Sequence, residues 1–143
     1  MKLVDFKTAA LVLTNTQIKQ VFFDYTHINK VTRAKLYPYV LWNLNSWAGK
    51  INWANTNNRK EHIKVKVFCF DYFDRGASTE TQSREAVWDD IRDYFRVYCT
   101  ALNTQSKVQI TNLNDMPFEY FSIGISNDAE IAVSFDIELD LFC

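Results

Sequence analysis

Between Ile63 and Leu102 the hydrophobic period of the chain changes from alternation to about 3.6 residues, which predicts a strand running into a long helix. Ile63, Val65, Val67 and Cys69 share one face of that strand, and Lys64, Lys66, Phe68 and Phe70 share the other. The second face begins charged and ends aromatic, so the strand is expected to leave solvent and enter a contact. The helix carries an apolar stripe of Val87, Ile91, Tyr94, Phe95, Tyr98 and Leu102, at spacings of three and four. Thr79-Glu80-Thr81-Gln82 matches a capping box, in which side-chain groups satisfy the free backbone N–H groups of the first turn. Glu80, Glu85, Asp89 and Asp90 lie toward the positive end of the helix dipole. A helix with one such stripe lies across a sheet. Nothing in the stretch has the pattern of an active site.

The flanking segments complete the outline. Phe6 to Tyr25 carries a helical stripe of Ala9, Ala10, Val12, Leu13, Thr16, Ile18, Val21 and Phe22, with Thr14-Asn15-Thr16 as a possible break: one helix or two short pieces. Leu36 to Leu44 predicts a strand with Pro38 at its start or on an edge, since proline cannot donate to a ladder. Asn43 to Arg59 holds the densest asparagine cluster of the chain, together with Gly49. With Trp42, Trp47 and Trp53 beside it, this segment reads as a long hairpin or as an ordered loop whose tryptophans pack down on the sheet. Val108 to Leu113 predicts a short strand, and Phe118 to Ile125 and Ile131 to Leu141 flank a hairpin turn at Ser126-Asn127-Asp128. In the last strand Ile131, Val133, Phe135, Ile137, Leu139 and Leu141 face one way, and Ala132, Ser134, Asp136, Glu138 and Asp140 the other. The expected architecture is a single α+β domain over residues 1–143: an antiparallel or mixed β-sheet with one long amphipathic helix and an N-terminal helix packed on one face.

Composition narrows function mainly by exclusion. A net charge of −1 in 143 residues argues against a wholesale nucleic-acid binder, which needs excess lysine and arginine. Cys69, Cys99 and Cys143 form neither a metal-binding pair nor a disulfide framework, and so suggest a reducing compartment. Met1 to Asp5 lacks the apolar core of a signal peptide, and no run approaches the ~18 apolar residues of a spanning helix, so no membrane association is expected. Aromatic residues make up 15% of the chain, more than one small core needs; tyrosine and tryptophan in excess favour a protein that assembles.

No phosphate-cradling motif occurs, and three glycines could hardly build one. His27 and His62 stand alone, Cys69 lies on an apolar face as a packed thiol, and Ser78 and Ser83 lack a nucleophile-elbow context. No enzyme and no cofactor are expected. Asp71 and Asp74 flank a turn that they either cap or, in a less favoured metal-dependent enzyme, equip for a cation. Asp136, Glu138 and Asp140 form an acidic stripe with neighbours roughly 7 Å apart, costly unless solvated or opposed by cations. The stripe is either a solvent face, or a negative surface meeting a basic partner or lining a channel for a polyanion. Lys64 and Lys66 form a shorter basic stripe, able to meet the acidic one on a neighbouring copy in a head-to-tail ring.

Leu36-Tyr37-Pro38-Tyr39-Val40, then Val67-Phe68-Cys69-Phe70-Asp71, a polar loop, and Ser83-Arg84-Glu85-Ala86-Val87-Trp88-Asp89-Asp90-Ile91-Arg92-Asp93-Tyr94-Phe95 stand in a recognisable order. This order resembles small neck and tail-completion proteins of tailed bacteriophages, particularly those of phages and prophages of Bacteroides-type hosts, crAss-like phages among them. The resemblance covers Ile18 to Leu141; Trp88-Asp89-Asp90 and the asparagine-rich segment depart from its pattern. It implies a structural virion protein, a tail terminator or related neck ring, assembled in the bacterial host cytoplasm as a hexamer or dodecamer. Such a ring ends the tail tube, joins it to the head connector near the portal, and passes DNA as cargo without reading its sequence. The expected interface or lumen residues are Lys64, Lys66, Asp136, Glu138, Asp140, Trp42, Trp47 and Trp53. The alternative is an accessory binding module of the same assembly pathway, monomeric until it meets a partner.

Overall fold

The computed structural model describes residues 2–23, 36–51, 60–72, 84–123 and 130–142. In chain order the elements are helix α1 (Leu3–Ala9), strands β1 (Gln20–Phe22), β2 (Tyr39–Ile51) and β3 (Lys60–Tyr72), helix α2 (Arg84–Leu102), and strands β4 (Val108–Ile110), β5 (Phe118–Ile123) and β6 (Glu130–Phe142). The fold is α+β. The strands form one mixed sheet in the order β1-β2-β3-β6, with β4 and β5 sharing the far side of β6. Among the described residues only β1 and β2 pair in parallel.

The alternation of β3 and β6 sets the core, because the two strands are neighbours over their full length. Their apolar faces merge with Val87, Ile91, Phe95, Tyr98, Cys99 and Leu102 of α2 in one buried cluster. Phe95 stacks on Phe135 at 4.0 Å between ring centroids. The helix therefore covers the sheet as its stripe predicts, except that Cys99 is fully buried while Tyr94 is only partly so. The capping box at Thr79 to Gln82 and the turn at Ser126 to Asp128 lie outside the described residues.

The other face holds a second cluster of Phe22, Tyr39, Leu41, Phe70 and Ala132, with Tyr37 and Phe68 against it. Tyr39 stacks on Phe70 at 4.8 Å, and the Tyr39 hydroxyl donates to Glu130 Oε2 at 2.9 Å. This is the contact that the aromatic end of β3 enters.

The N-terminal helical stripe is only half correct. α1 ends at Ala9, Asn15 adopts a left-handed backbone at φ 62°, and Gln20–Phe22 is a strand beside β2. Val21 and Phe22 consequently pack in different clusters on opposite faces of the sheet, which no helical stripe can do. Pro38, joined to Tyr37 by a cis peptide bond, stands just before β2, as its missing donor requires. Beyond Leu44 the asparagine-rich segment continues as strand to Ile51, so β2 and β3 pair antiparallel as two arms of a long hairpin. Their register shifts between Asn43 and Ala48, a bulge in which Ser46 Oγ donates to the Asn43 carbonyl and accepts from the Lys66 N–H.

Among the described residues strand β6 has no strand partner on its far side between β5 and β4, and Asn112 fills the gap. Its side-chain amide donates to the Asp136 carbonyl at 2.9 Å and accepts from the Glu138 N–H at 3.0 Å. The Asp136 N–H donates to the Pro117 carbonyl, and the Thr111 N–H to that of Glu138. Every backbone group in this stretch must find a partner, and one loop asparagine replaces a missing strand.

Candidate functional site

The charged residues singled out in the sequence meet on one face of the sheet. In the β3–β6 register Lys66 stands opposite Asp136, Lys64 opposite Glu138 and His62 opposite Asp140. Lys64 Nζ lies 3.3 Å from Glu138 Oε1, Lys66 Nζ 3.9 Å from Asp136 Oδ1, and Lys60 Nζ 3.2 Å from Asp140 Oδ2. His62 Nδ1 is 2.7 Å from Asp140 Oδ1, and its Nε2 is 3.8 Å from Glu138 Oε1. Lys64 and Lys66 thus meet the acidic stripe inside one chain, which corrects the expectation of pairing between copies. The reason is topological: the chain passes through α2, β4 and β5 before β6 returns beside β3, an order that alternation alone does not reveal.

The ladder sets three lysines against three carboxylates, so the acidic stripe is not a bare negative surface. Lys60 and His62 belong to it as well, and alternation counted from Ile63 leaves them out. Extending the alternation three residues upstream reaches both. The rungs are unequal in burial. The side chain of Asp140 is 6% exposed and that of Asp136 is 60% exposed. Asp140→Asn is therefore expected to lower stability by about 1–2 kcal/mol, while Asp136→Asn changes it by less than about 0.5 kcal/mol. Parallel urea titrations check this; equal effects would mean that burial does not grade the ladder.

The tryptophans divide. Trp42 is fully buried, donates from Nε1 to the Tyr98 hydroxyl at 3.1 Å, and meets Phe6 edge-on at 5.0 Å. It is a core residue, which corrects its assignment to an interface or lumen. Trp47 is half-buried against the same Phe6 ring, also at 5.0 Å. Trp53 lies outside the described residues, as do Asp74, His27, Ser78, Ser83 and Cys143.

Asp71 is described without its expected companion Asp74. Burial pushes its carboxyl up from the ordinary range, the Tyr72 N–H opposes that rise, and nearby Asp90 adds to it. Among the described residues no group of three or more histidine, cysteine, aspartate and glutamate side chains is placed to hold a metal ion. Burial pushes the Cys69 and Cys99 thiols well up, so both are packed side chains rather than poised nucleophiles.

Sequence reasoning also missed a cleft of about 510 Å³ between α2 and the segment joining β4 to β5, bordered by Arg92, Arg96, Leu113, Met116 and Phe118. Arg92 sits over the Phe118 ring at 4.4 Å and donates to the Tyr120 hydroxyl at 3.0 Å. The Tyr120 ring in turn stacks on Trp88 at 4.9 Å. The available signal was Trp88 and Arg92 four apart on a helix, with Phe118 and Tyr120 two apart on a strand. Among the described residues no helix is long and apolar enough to cross a membrane. Comparison with protein-family models gives no match, and comparison with curated proteins gives none.

Proposed function

We propose that the chain is a structural subunit of a tailed bacteriophage or prophage, forming a ring at the neck or tail end. The ring terminates the tail tube and joins it to the head connector while DNA passes. The observation that carries this reading is the strand-to-helix frame. The residues in which the motif order resembles neck and tail-completion proteins are those that build β3 and lay α2 over the sheet. The ladder supports it in a revised form. A wall of paired lysines and carboxylates offers a passing polyanion neither a strong hold nor a strong barrier, whereas unpaired lysines would bind it.

Removing the gene from a phage or prophage that carries it tests the reading, with particles examined by electron microscopy. The expected result is heads without attached tails and tail tubes of uncontrolled length, both restored by the wild-type chain. Normal, joined particles in its absence would overturn the proposal.

A further inference from the structure

Two strand edges lack a strand partner among the described residues. β5 is paired on one side only, and β2 is joined by β1 only over Tyr39 to Leu41, so the run from Trp42 to Ile51 has no strand on that side. Backbone groups along such an edge template an extended chain. β5 is also poorly protected: Phe118-Glu119-Tyr120-Phe121-Ser122-Ile123 contains no proline and one charge. We infer that β5 of one copy receives the end of β2, Ala48 to Ile51, from a second copy. The pairing is antiparallel, with Phe118 opposite Ile51, Glu119 opposite Lys50, and Tyr120 opposite Gly49.

That register follows from the faces of the sheet. Ile51 and Gly49 stand opposite Glu61 and Ile63 of β3, on the side that α2 covers, and Phe118 and Tyr120 stand opposite Phe135 and Val133 on the same side. Lys50 stands opposite His62 and Glu119 opposite Ser134, both on the charged side. The pairing therefore joins apolar to apolar on one face and cation to anion on the other. A slip of one residue would set Phe118 against Lys50 and lose both matches. Phe118 and Ile51 are 45% and 41% exposed, and each would cover the other.

Tyr120 opposite Gly49 places an aromatic ring over a glycine backbone that has no side chain to shield it. The receiving edge is already ordered, since Trp88 stacks on Tyr120 and Arg92 holds Phe118, so little side-chain freedom is left to lose on binding. The occupant is a second copy because the matching segment lies on this same chain, toward the opposite edge of its sheet. Such a contact is head-to-tail, and it closes into a ring where the rotation between copies permits. Closure rests on the proposed function; the strand pairing does not.

The test is disulfide trapping in the full chain. Cross-strand neighbours lie about 4.5–5.5 Å apart at Cβ, near the reach of a disulfide. In a Cys143→Ser background, with Cys69 and Cys99 buried, Lys50→Cys and Glu119→Cys are made singly and together. On oxidation the double variant is expected to give a ladder of covalent multimers, and each single variant no more than dimers. Independently, Lys50→Glu and Glu119→Lys should each weaken self-association about fivefold, and the two together should restore it. A double cysteine variant that cross-links no further than the single ones, or a wild-type chain that stays monomeric at millimolar concentration, overturns the inference. Rings seen by microscopy without this cross-link would keep the ring and reject this interface; cross-linked open filaments would do the reverse.

Discussion

Trp42→Ala is expected to lower the free energy of unfolding by about 3–5 kcal/mol, the usual cost of removing a large aromatic side chain from a core. Folded domains hold only about 5–15 kcal/mol in all, so the variant should be marginal at body temperature. The indole is fully buried, packs edge-on against Phe6 of α1, and donates to Tyr98 of α2. Tyr98 in turn donates to the Ala10 carbonyl at the end of α1. One ring thus ties β2, α1 and α2 together, and its loss opens a cavity and strips the Tyr98 oxygen of a donor. Tyr98→Phe is the milder probe. It keeps the ring but leaves the Trp42 N–H and the Ala10 carbonyl without this partner, at about 1–3 kcal/mol. The double variant should cost less than the sum, because both changes break the same chain of bonds. Urea unfolding followed by circular dichroism measures all three. If Trp42→Ala left stability within about 1 kcal/mol of wild type but abolished self-association, the indole would be an interface residue after all.

The contrast between Trp42 and Lys64 shows how far the sequence could be read. The strand of Lys64 is legible because charged and apolar residues alternate along it, and the same pattern sets Ile131 to Leu141 of β6 on their observed faces. What alternation cannot tell is which strands are neighbours, so it leaves open whether Lys64 and Lys66 meet the acidic stripe within the chain or on another copy. Trp42 failed for a different reason. Its neighbours Asn43 and Asn45 mark a turn-rich segment, yet they sit in a bulge within a strand that continues to Ile51. The asparagines serve the bulge locally, with Asn43 Oδ1 accepting from the Asn45 N–H at 3.2 Å. Three-residue β1 is too short to impose a period, and its pairing with β2 is decided by tertiary contact alone. The Arg92–Phe118–Tyr120–Trp88 group joins a helix to a strand many residues away, a relation that needs the fold to be known first.

Gly49 is where packing and the charged face depend on one another. A Cβ at this position would clash with the His62 carbonyl oxygen and lie 2.5 Å from Ile63 Cδ1. The end of the Ile63 side chain can swing aside. The carbonyl cannot, because it belongs to the backbone of β3, which is held by β6 along its other side. Gly49→Ala therefore pushes the end of β2 away from β3, at about 1–3 kcal/mol for an overpacked contact. The displacement is centred on His62, whose ring lies 2.7 Å from the buried carboxylate of Asp140. The substitution should shift the imidazole resonances of His62 and the amides of Lys50 and Ile51, while leaving those of Phe95 and Phe135 in place. It should also raise the midpoint concentration for self-association, because the strand end that docks on β5 is the part displaced. Unchanged stability and unchanged His62 resonances would show that β2 and β3 have room for a methyl group there. Loss of stability with normal self-association would separate the packing role of Gly49 from any role in assembly.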